Sequence, residues 1–254
     1  MKKQILPIWQ PVGKSTNHLT RQIADKIGLK TAHTGTLDPM AEGVVVVLAG
    51  NKRLEKIKLA SWKKTYEFDI AFGISTDSFD GLGLITKTNF ECKTISPKVI
   101  QSVLKSLVGN YSQTVPLYSA IKVAGRKLHQ HAKYGNFKVI LPHKKGEIFK
   151  LKLIELKTVS VKKLVKNLIA KIKLVEGDLR QKEITDCWEN FTGNIDTTSI
   201  QVAKIEVQIS RGMYVRSLSQ DICEKLGING FVSNLIRTRN GKYSKKSCII
   251  PYNN

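Results

Sequence analysis

The strongest constraint on the fold of this chain is a turn that leads into a buried strand. The turn reads His33-Thr34-Gly35-Thr36-Leu37-Asp38-Pro39, and the strand reads Gly43-Val44-Val45-Val46-Val47-Leu48-Ala49-Gly50. The apolar run is too short to cross a bilayer and suits a buried strand. Pro39 keeps Asp38 out of helical geometry, and Gly35 allows a sharp turn or a close backbone approach. Asp-Pro turns are common, but a carboxylate fixed beside a rigid sheet also suits catalysis.

The charge balance favours a polyanionic partner. The chain carries 42 Lys and Arg residues against 20 Asp and Glu, a net charge of +22. Nucleic acid is the first candidate and an anionic membrane surface the second. A lysine-rich proteome would raise the charge in the same way, so charge alone decides little. With 254 residues, 41% of them hydrophobic, the chain can form one large domain or two small ones.

Cysteine and histidine usage argues against a metal site. The four cysteines, Cys92, Cys187, Cys223 and Cys248, form no C-x-x-C pair, which disfavours a zinc ribbon. His129-Gln130-His131 lacks a nearby set of further ligands and is more typical of a surface or RNA-facing segment. The N-terminus has no long apolar segment, and no membrane span is predicted. We therefore expect a cytoplasmic protein with no metal.

Strands and helices alternate without regular βαβ units, which predicts an α+β fold. A helix is predicted from Ser15 to Leu29 and a half-buried strand from Thr65 to Phe72. Gly73 to Gly83 is predicted as a loop, and Val115 to Gly146 as a mobile surface segment. A helix opening at Ser96-Pro97 is expected to bury one stripe: Val99, Val103, Leu104 and Leu107.

The segment HTGTLDPMAEGVVVVLAG resembles the catalytic motif of the TruB family, the tRNA pseudouridine synthases that act on position 55. Other segments resemble further family motifs in the same order. They are Gln10 to Thr16, Lys64-Thr65-Tyr66, Thr76 to Gly81, Val115 to Lys122, Ser210 to Leu218, and Leu235-Ile236-Arg237-Thr238. Three positions depart from the family pattern, where Gln10 replaces a lysine, Ala32 a glycine and His129 an aromatic residue.

The resemblance implies a pseudouridine synthase fold, with a mixed, mostly antiparallel sheet flanked by helices and a thumb-loop insertion. It implies isomerisation of a T-loop uridine of tRNA to pseudouridine, after the base is flipped out of the RNA stack. The glycosidic C–N bond breaks and uracil reattaches through carbon. The family uses no metal and no cofactor for this reaction.

The resemblance also assigns catalytic roles. Asp38 matches the family nucleophile, and Arg216 matches the arginine that pairs with it. An arginine suits this role because it keeps its charge and its planar fork fits a carboxylate. Asp80 matches the acid that helps hold this arginine, so we expect an Asp38–Arg216–Asp80 network.

Four further residues match positions around the flipped base. Tyr66 matches the aromatic that stacks on uracil and is a candidate for proton abstraction at C5. Tyr214 matches a second aromatic of the site, and Leu235 matches the residue that closes the pocket. His33 matches the histidine that fills the space vacated in the RNA loop. Taken one at a time, each of these residues is more typical of an ordinary core or surface position. The ordered set of motifs, taken together, favours a role in the active site.

Basic residues are expected to contact RNA phosphates, which makes binding depend on salt. The predicted contacts are Lys122, Arg126, Lys133 and Arg237. Residues 1–244 are predicted to form the catalytic domain, with a thumb loop over about 122–146. A lysine-rich helical insertion is predicted over about 159–196, and 245–254 would form a short tail rather than a C-terminal RNA-binding domain. The insertion is either a tRNA contact or a solvated helix.

Two alternatives to a stand-alone enzyme stay open. One is a non-enzymatic RNA-binding protein, such as a tRNA-folding chaperone. The other is an enzyme guided by a partner ribonucleoprotein. The expected partner is the T-arm stem-loop of tRNA, bound by a monomer that needs no protein partner and no membrane.

Overall fold

A computed structural model of the chain describes residues 4–90, 94–134, 138–195 and 199–249. Its centre is a nine-stranded mixed sheet. Seven strands lie side by side in the order β1 (Gln4–Gln10), β3 (Ala41–Ala49), β12 (Gly230–Asn240), β4 (Lys64–Phe72), β11 (Ser199–Ile209), β10 (His143–Ser160) and β7 (Gly109–Thr114). Two short strands complete the sheet, β2 (Thr31–His33) on β3 and β13 (Tyr243–Ser244) on β12.

All neighbours in this sheet run antiparallel except β3 and β12, which run parallel. The α+β class and the mixed, mostly antiparallel sheet predicted from the sequence are therefore confirmed. The parallel pair places Ala41 opposite Leu235 and Gly43 opposite Arg237. This pairing therefore brings the residues that directly follow the Asp38 turn beside a strand almost two hundred residues later in the sequence.

Helices and short hairpins surround the sheet. The α-helices are α1 (Thr16–Ile27), α2 (Lys56–Ala60), α3 (Pro97–Ser106), α4 (Leu128–Lys133), α5 (Val161–Ile172), α6 (Gln181–Gly193) and α7 (Val215–Leu226). A 3₁₀ helix (Gly50–Glu55) precedes α2, and another (Lys245–Ser247) follows β13. One hairpin joins β5 (Ile74–Thr76) to β6 (Ile85–Thr88), and the other joins β8 (Lys122–Val123) to β9 (Arg126–Lys127). The segment predicted as a loop from Gly73 to Gly83 thus contains a short strand.

The two largest hydrophobic cores of the described residues flank the sheet. The larger core lies under α3 and α7 and includes Phe68, Ile70 and Ile205. The smaller core lies under α5 and α6 and is built around Trp188 and Phe231. The predicted insertion therefore packs onto the body of the domain instead of standing apart from it.

The apolar stripe of α3 differs from the predicted one. Val99 is 51% exposed, whereas Ile100 and Leu104 are buried. Ser96 caps the helix by accepting a hydrogen bond from the amide of Val99, as predicted. Leu104 and Leu107 of the predicted stripe are buried and Val103 is partly buried, so the prediction was wrong only at Val99.

Several sequence predictions fall partly on residues outside the described ranges. The predicted mobile segment from Val115 to Gly146 includes 135–137, and its described part contains β8, β9, α4 and the start of β10. The predicted insertion ends at about 196, the predicted tail includes 250–254, and Cys92 lies within 91–93. These positions are all outside the described ranges. Among the helices of the described ranges, none has both the length and the apolar character needed to span a bilayer.

Candidate active site

The turn that carries Asp38 lies between β2 and β3 and is held by hydrogen bonds from distant residues. The amide of Leu37 donates to the hydroxyl of Thr16, whose own proton goes to the Gln10 side chain. The amide of Gly13 donates to the carbonyl of Pro39 at 2.9 Å. The turn is therefore tied to the N-terminal segment that was predicted as a separate motif.

The glycine that this turn requires is Gly43, not Gly35. A Cβ at Gly35 would meet only ordinary contacts, 3.6 Å from Lys64 and 3.7 Å from Arg237. Gly43 has φ +135°, and a Cβ there would lie 2.3 Å from the carbonyl oxygen of Arg237. Gly43 thus allows β3 and β12 to approach closely enough to pair beside Asp38.

Asp38 and Arg216 form a two-pronged ion pair. Arg216 donates from Nε to Asp38 Oδ2 at 2.9 Å and from Nη2 to Asp38 Oδ1 at 3.0 Å. The side chain of Arg216 is 3% exposed, whereas that of Asp38 is 29% exposed. The arginine is thus buried behind the carboxylate, which keeps one side open toward solvent.

Asp80 completes the expected cluster of charges. Its Oδ2 lies 3.6 Å from Nε of Arg216 in a buried ion pair. Asp80 is fixed in turn by the hydroxyl of Ser78 and the amide of Leu82, at 2.7 and 2.9 Å. The structure therefore brings together the three residues that the sequence grouped by resemblance alone.

The buried charges perturb one another. Burial opposes the positive charge of Arg216, but the carboxylates of Asp38 and Asp80 outweigh it and hold the Arg216 pKa above its ordinary value. Burial raises the pKa of Asp80, against the opposing effect of Arg216. Arg216 is therefore a permanent cation, and it favours the ionised form of any carboxylate it contacts.

Two backbone carbonyls complete the environment of Arg216, and no sequence signal predicts them. Nη1 donates to the carbonyl of Ser78 at 2.9 Å, and Nη2 donates to the carbonyl of Tyr118 at 3.1 Å. Together with the Asp38 bonds these fix the plane of the guanidinium. Arg216 therefore joins two loops, 77–82 and 115–121, to the Asp38 turn.

The N-terminus of α7, which carries Arg216, is held by Gln113 of β7. The buried Gln113 side chain accepts a hydrogen bond from the amide of Tyr214 at 2.5 Å and donates to its carbonyl at 3.1 Å. The hydroxyl of Ser217 donates to the carbonyl of Thr114 at 2.7 Å. A polar residue just before the Val115-Pro116 segment was the only sequence signal for this role, and it was missed.

A narrow cleft opens beside Asp38, with room for about one water molecule. Its lining residues are Asp38, Met40, Ala41, Asp80, Val232, Ser233, Asn234 and Leu235. Leu235 therefore lies where a pocket-closing residue is expected. Tyr66 is 8% exposed, packs in the larger core and lies opposite Arg237 on the neighbouring strand, outside this lining.

Tyr214 lies within electrostatic range of the charge cluster. Burial raises the pKa of its hydroxyl, and the Asp38 carboxylate adds to the effect. The hydroxyl is therefore protonated at neutral pH. Tyr214 is the N-cap residue of α7 and lies near Asp38.

His33 lies at the end of β2, apart from the charge cluster. Its Nε2 is 3.0 Å from the side-chain oxygen of Asn17. Burial, with the nearby charges of Lys56 and Arg237, lowers the His33 pKa to about 4. The ring is therefore uncharged at neutral pH, which suits stacking better than phosphate attraction.

The predicted phosphate contacts divide into exposed and buried residues. Lys122, Arg126 and Lys133 are exposed on β8, β9 and α4. Lys133 forms an exposed ion pair with Asp178 of the α5–α6 linker at 3.0 Å. These three positions are accessible to a polyanion.

Arg237 contradicts its predicted role as a phosphate contact. It is 1% exposed, and it donates to the carbonyls of Val44, Gly35 and Thr36 at 2.7, 3.0 and 3.5 Å. Its position on β12, opposite Gly43 of β3, directs the guanidinium under the Asp38 turn. Arg237 is thus a structural residue of the turn.

The described residues contain no cluster of three His, Cys, Asp or Glu side chains suited to a metal ion. His131, predicted on the surface, is 7% exposed, and its Nε2 lies 2.9 Å from the carbonyl of Val123. It holds the β8–β9 hairpin against α4 from inside.

Sequence comparison identifies a matching family. Residues 21–168 match the family described as TruB family pseudouridylate synthase, N-terminal domain. A tRNA pseudouridine synthase B of Geobacillus thermodenitrificans is 30% identical over 96% of this chain and 69% of its own length. A protein of the same name from Malacoplasma penetrans is 30% identical over 96% of this chain and 87% of its own length.

Solved structures share the fold at lower identity. A chain in a Cbf5-Nop10-Gar1 complex matches 97% of this chain with a TM-score of 0.60 and 18% identity. A chain in an H/ACA RNP bound to a substrate RNA containing 2'-deoxyuridine matches with a TM-score of 0.56 and 16% identity. This chain spans about half the length of those two, 52% and 50%. At these identities the likeness establishes the fold alone.

Proposed function

The chain belongs to the TruB family of pseudouridylate synthases, and on that basis we propose that it isomerises uridine 55 in the T-loop of tRNA to pseudouridine. The observation that carries the proposal is the Asp38–Arg216 pair, a part-exposed carboxylate held in two hydrogen bonds by a buried arginine. The names of the relatives, tRNA pseudouridine synthase B, support the choice of tRNA and of the position.

This geometry suits the chemistry of the isomerisation. The bond between N1 of uracil and C1' of ribose must break, and a bond between C5 and C1' must form, after which C5 loses its proton and N1 gains one. In our proposal Asp38 is the nucleophile that carries the intermediate, which requires an ionised carboxylate in an enclosed site. Arg216 supplies the fixed positive charge that favours this form.

Three further residues take the supporting roles in our proposal. We assign Leu235 of the cleft lining to closing the base pocket. Tyr66, which lies outside the lining, is assigned to stacking on uracil and to proton abstraction at C5, and Tyr214 is assigned as a second aromatic of the site. Because the cleft holds about one water molecule, uracil cannot enter unless side chains around it move. Base flipping would therefore be coupled to opening of the cleft.

The surface supports binding to RNA. The net charge is +22, and Lys122, Arg126 and Lys133 are exposed around α4. We propose that this region is a thumb that contacts the T-arm phosphates, and that His33 fills the space left in the RNA loop. Exposed lysines of the α5–α6 insertion, Lys162, Lys163, Lys166 and Lys173, would extend the basic surface.

The proposed catalytic domain covers residues 1–244. One sheet runs from β1 to β13, which ends at Ser244, and this continuity supports a single unit. Lys171 is an exception among the lysines of the insertion, because it is half-buried and donates to the side chain of Asn234 at 2.7 Å. The insertion is therefore also a structural neighbour of the cleft.

Mapping of pseudouridine in an unmodified tRNA transcript tests the proposal. The purified protein alone is incubated with the transcript, and carbodiimide adducts at pseudouridine are located by reverse transcription. We expect one new pseudouridine, at position 55, and none when that uridine is replaced by cytidine. Binding without modification would instead support a non-enzymatic RNA-binding protein. Modification that needs an added guide RNA and partner proteins would support a ribonucleoprotein enzyme.

A further inference from the structure

The α5–α6 linker reaches across the surface to the two loops that hold Arg216. Arg180, the residue just before α6, donates from its guanidinium to the Asp77 carboxylate at 3.0 Å. The same guanidinium lies over the ring of Tyr118, 4.8 Å from its centroid. The Tyr118 hydroxyl donates to the same oxygen of Asp77 at 2.8 Å. Arg180, Asp77 and Tyr118 thus form a closed triangle of contacts.

This triangle and Arg216 join the same two loops from opposite sides. On the inner side, Arg216 bonds the carbonyls of Ser78 and Tyr118. On the outer side, Arg180 contacts the side chains of Asp77 and Tyr118. Loss of the outer contacts would remove one of the two links between these loops and leave Arg216 as the other.

The linker itself is firmly placed. The amide of Glu176 donates to the carbonyl of Gly13 at 2.9 Å, and the Gln181 side chain donates to the carbonyl of Val175 at 3.0 Å. Gly13 has φ +87°, and a Cβ there would lie 2.1 Å from the carbonyl oxygen of Leu174. Since Gly13 also bonds Pro39, the linker is tied to the Asp38 turn as well.

Arg180 has a backbone conformation that few non-glycine residues adopt. Its φ is +64°, in the left-handed region, and its carbonyl accepts the first hydrogen bond of α6 from Ile184 at 2.9 Å. This conformation lets the chain turn sharply into α6, while the side chain points back at Asp77.

We propose that Arg180 is a positioning residue for the reaction, which fixes the orientation of Arg216 and through it that of Asp38. The proposal rests on the proposed function, because its readout is pseudouridine formation. It assigns a role to the insertion that is separate from RNA binding. A small misplacement of a reacting group can lower a rate about a hundredfold, so the contact need not touch the substrate to matter.

Steady-state kinetics of Arg180→Gln on the tRNA transcript test this proposal. We expect kcat to fall roughly tenfold to a hundredfold, with KM for tRNA unchanged and the midpoint of thermal unfolding lowered by less than about 4 °C. Arg180→Lys keeps the charge near Asp77 and should recover part of the kcat. Lys182→Gln, which removes an exposed charge two residues away, should leave kcat unchanged.

A second variant tests whether Arg180 acts through Asp77. Asp77→Asn should lower kcat to a similar extent, and combining it with Arg180→Gln should cause little further loss because both break one triangle. A rise in KM with kcat unchanged would overturn the proposal in favour of an RNA contact. An unchanged kcat would also overturn it. So would a decrease in kcat that is fully explained by the fraction of the variant protein that is unfolded at the assay temperature. An inactive wild-type protein would instead reject the proposed function.

Discussion

At the scale of the single residue, the position of Asp38 depends on a buried cation that takes no part in the charge cluster. Arg237 lies under the turn and donates to three carbonyls of the segment 35–44. A buried carbonyl that loses its donor keeps the full cost of its desolvation. A residue of β12 therefore stabilises the turn alongside the contacts of Thr16 and Gly13.

Replacing Arg237 should destabilise the protein. We expect Arg237→Gln to lower the free energy of unfolding by about 3 kcal/mol, because the shorter side chain leaves buried carbonyls unpaired. Arg239→Gln, a matched change at an exposed position of the same strand, should change it by less than about 0.5 kcal/mol. Urea unfolding measures both, and equal effects would contradict the structural role of Arg237.

His33 should make stability depend on pH. Its pKa is about 4 in the folded protein and about 6.5 in an unfolded chain, so the unfolded state gains a proton first as the pH falls. The free energy of unfolding should therefore decrease between pH 6.5 and 4, by roughly 2 kcal/mol more in the wild type than in His33→Gln. If the free energy of unfolding changed equally with pH in the two proteins over this range, a neutral, partly buried His33 would be contradicted.

Single residues also show what the sequence could and could not reveal. Asp38, Arg216 and Asp80 were grouped through motif resemblance, and the structure places them in contact. The carbonyls of Ser78 and Tyr118 were missed because a backbone acceptor leaves no side-chain signature. Arg237 was misassigned because an arginine in a basic segment has the same sequence signature whether it is exposed or buried.

At the scale of the element, the exposed pair between Lys133 of α4 and Asp178 of the α5–α6 linker links the proposed thumb to the insertion. An RNA phosphate that binds Lys133 must compete with Asp178. The side chains are 65% and 82% exposed, so the pair is weak and easily replaced. RNA binding is thus expected to separate these two elements.

Removing the competing carboxylate should strengthen RNA binding. Asp178→Asn should lower the Kd for tRNA about twofold to fivefold, since an exposed ion pair contributes little free energy. Asp186→Asn makes the same change of charge on α6, where Asp186 pairs with Lys182 instead, and it serves as the control. Filter binding at one salt concentration compares the two, and an equal gain for both variants would show only the effect of net charge.

Elements with strong local signals were predicted closely. Ser15 and Gly28 cap α1, as expected from their residue types. β10 has eighteen residues, but the local sequence pattern indicates a strand only from Glu147 to Glu155. The residues on either side of this stretch include Lys144, Lys145 and Lys157, and such polar sequence resembles a solvated surface. The full length of β10 depends on pairing with β7 and β11, which local sequence does not encode.

At the scale of the whole molecule, the site exists only because distant segments meet. The parallel pairing of β3 with β12 places Leu235 beside the Asp38 turn, and α7 brings Arg216 to the carboxylate of Asp38. No local pattern predicts these contacts, since Asp38 and Arg216 are 178 positions apart and the paired residues of β3 and β12 are almost two hundred apart. The resemblance to the family grouped these residues into one site, and the topology of the sheet explains why they meet.

The central claim is that this assembly makes Asp38 the catalytic carboxylate of a pseudouridine synthase. Single-turnover formation of pseudouridine at position 55 of a tRNA transcript, compared between the wild type and Asp38→Asn, tests it most directly. The asparagine keeps the shape of the side chain but cannot act as the nucleophile, so we expect no detectable product while the Kd for tRNA stays within about threefold. Substantial turnover by Asp38→Asn, with the wild type active beside it, would contradict the account.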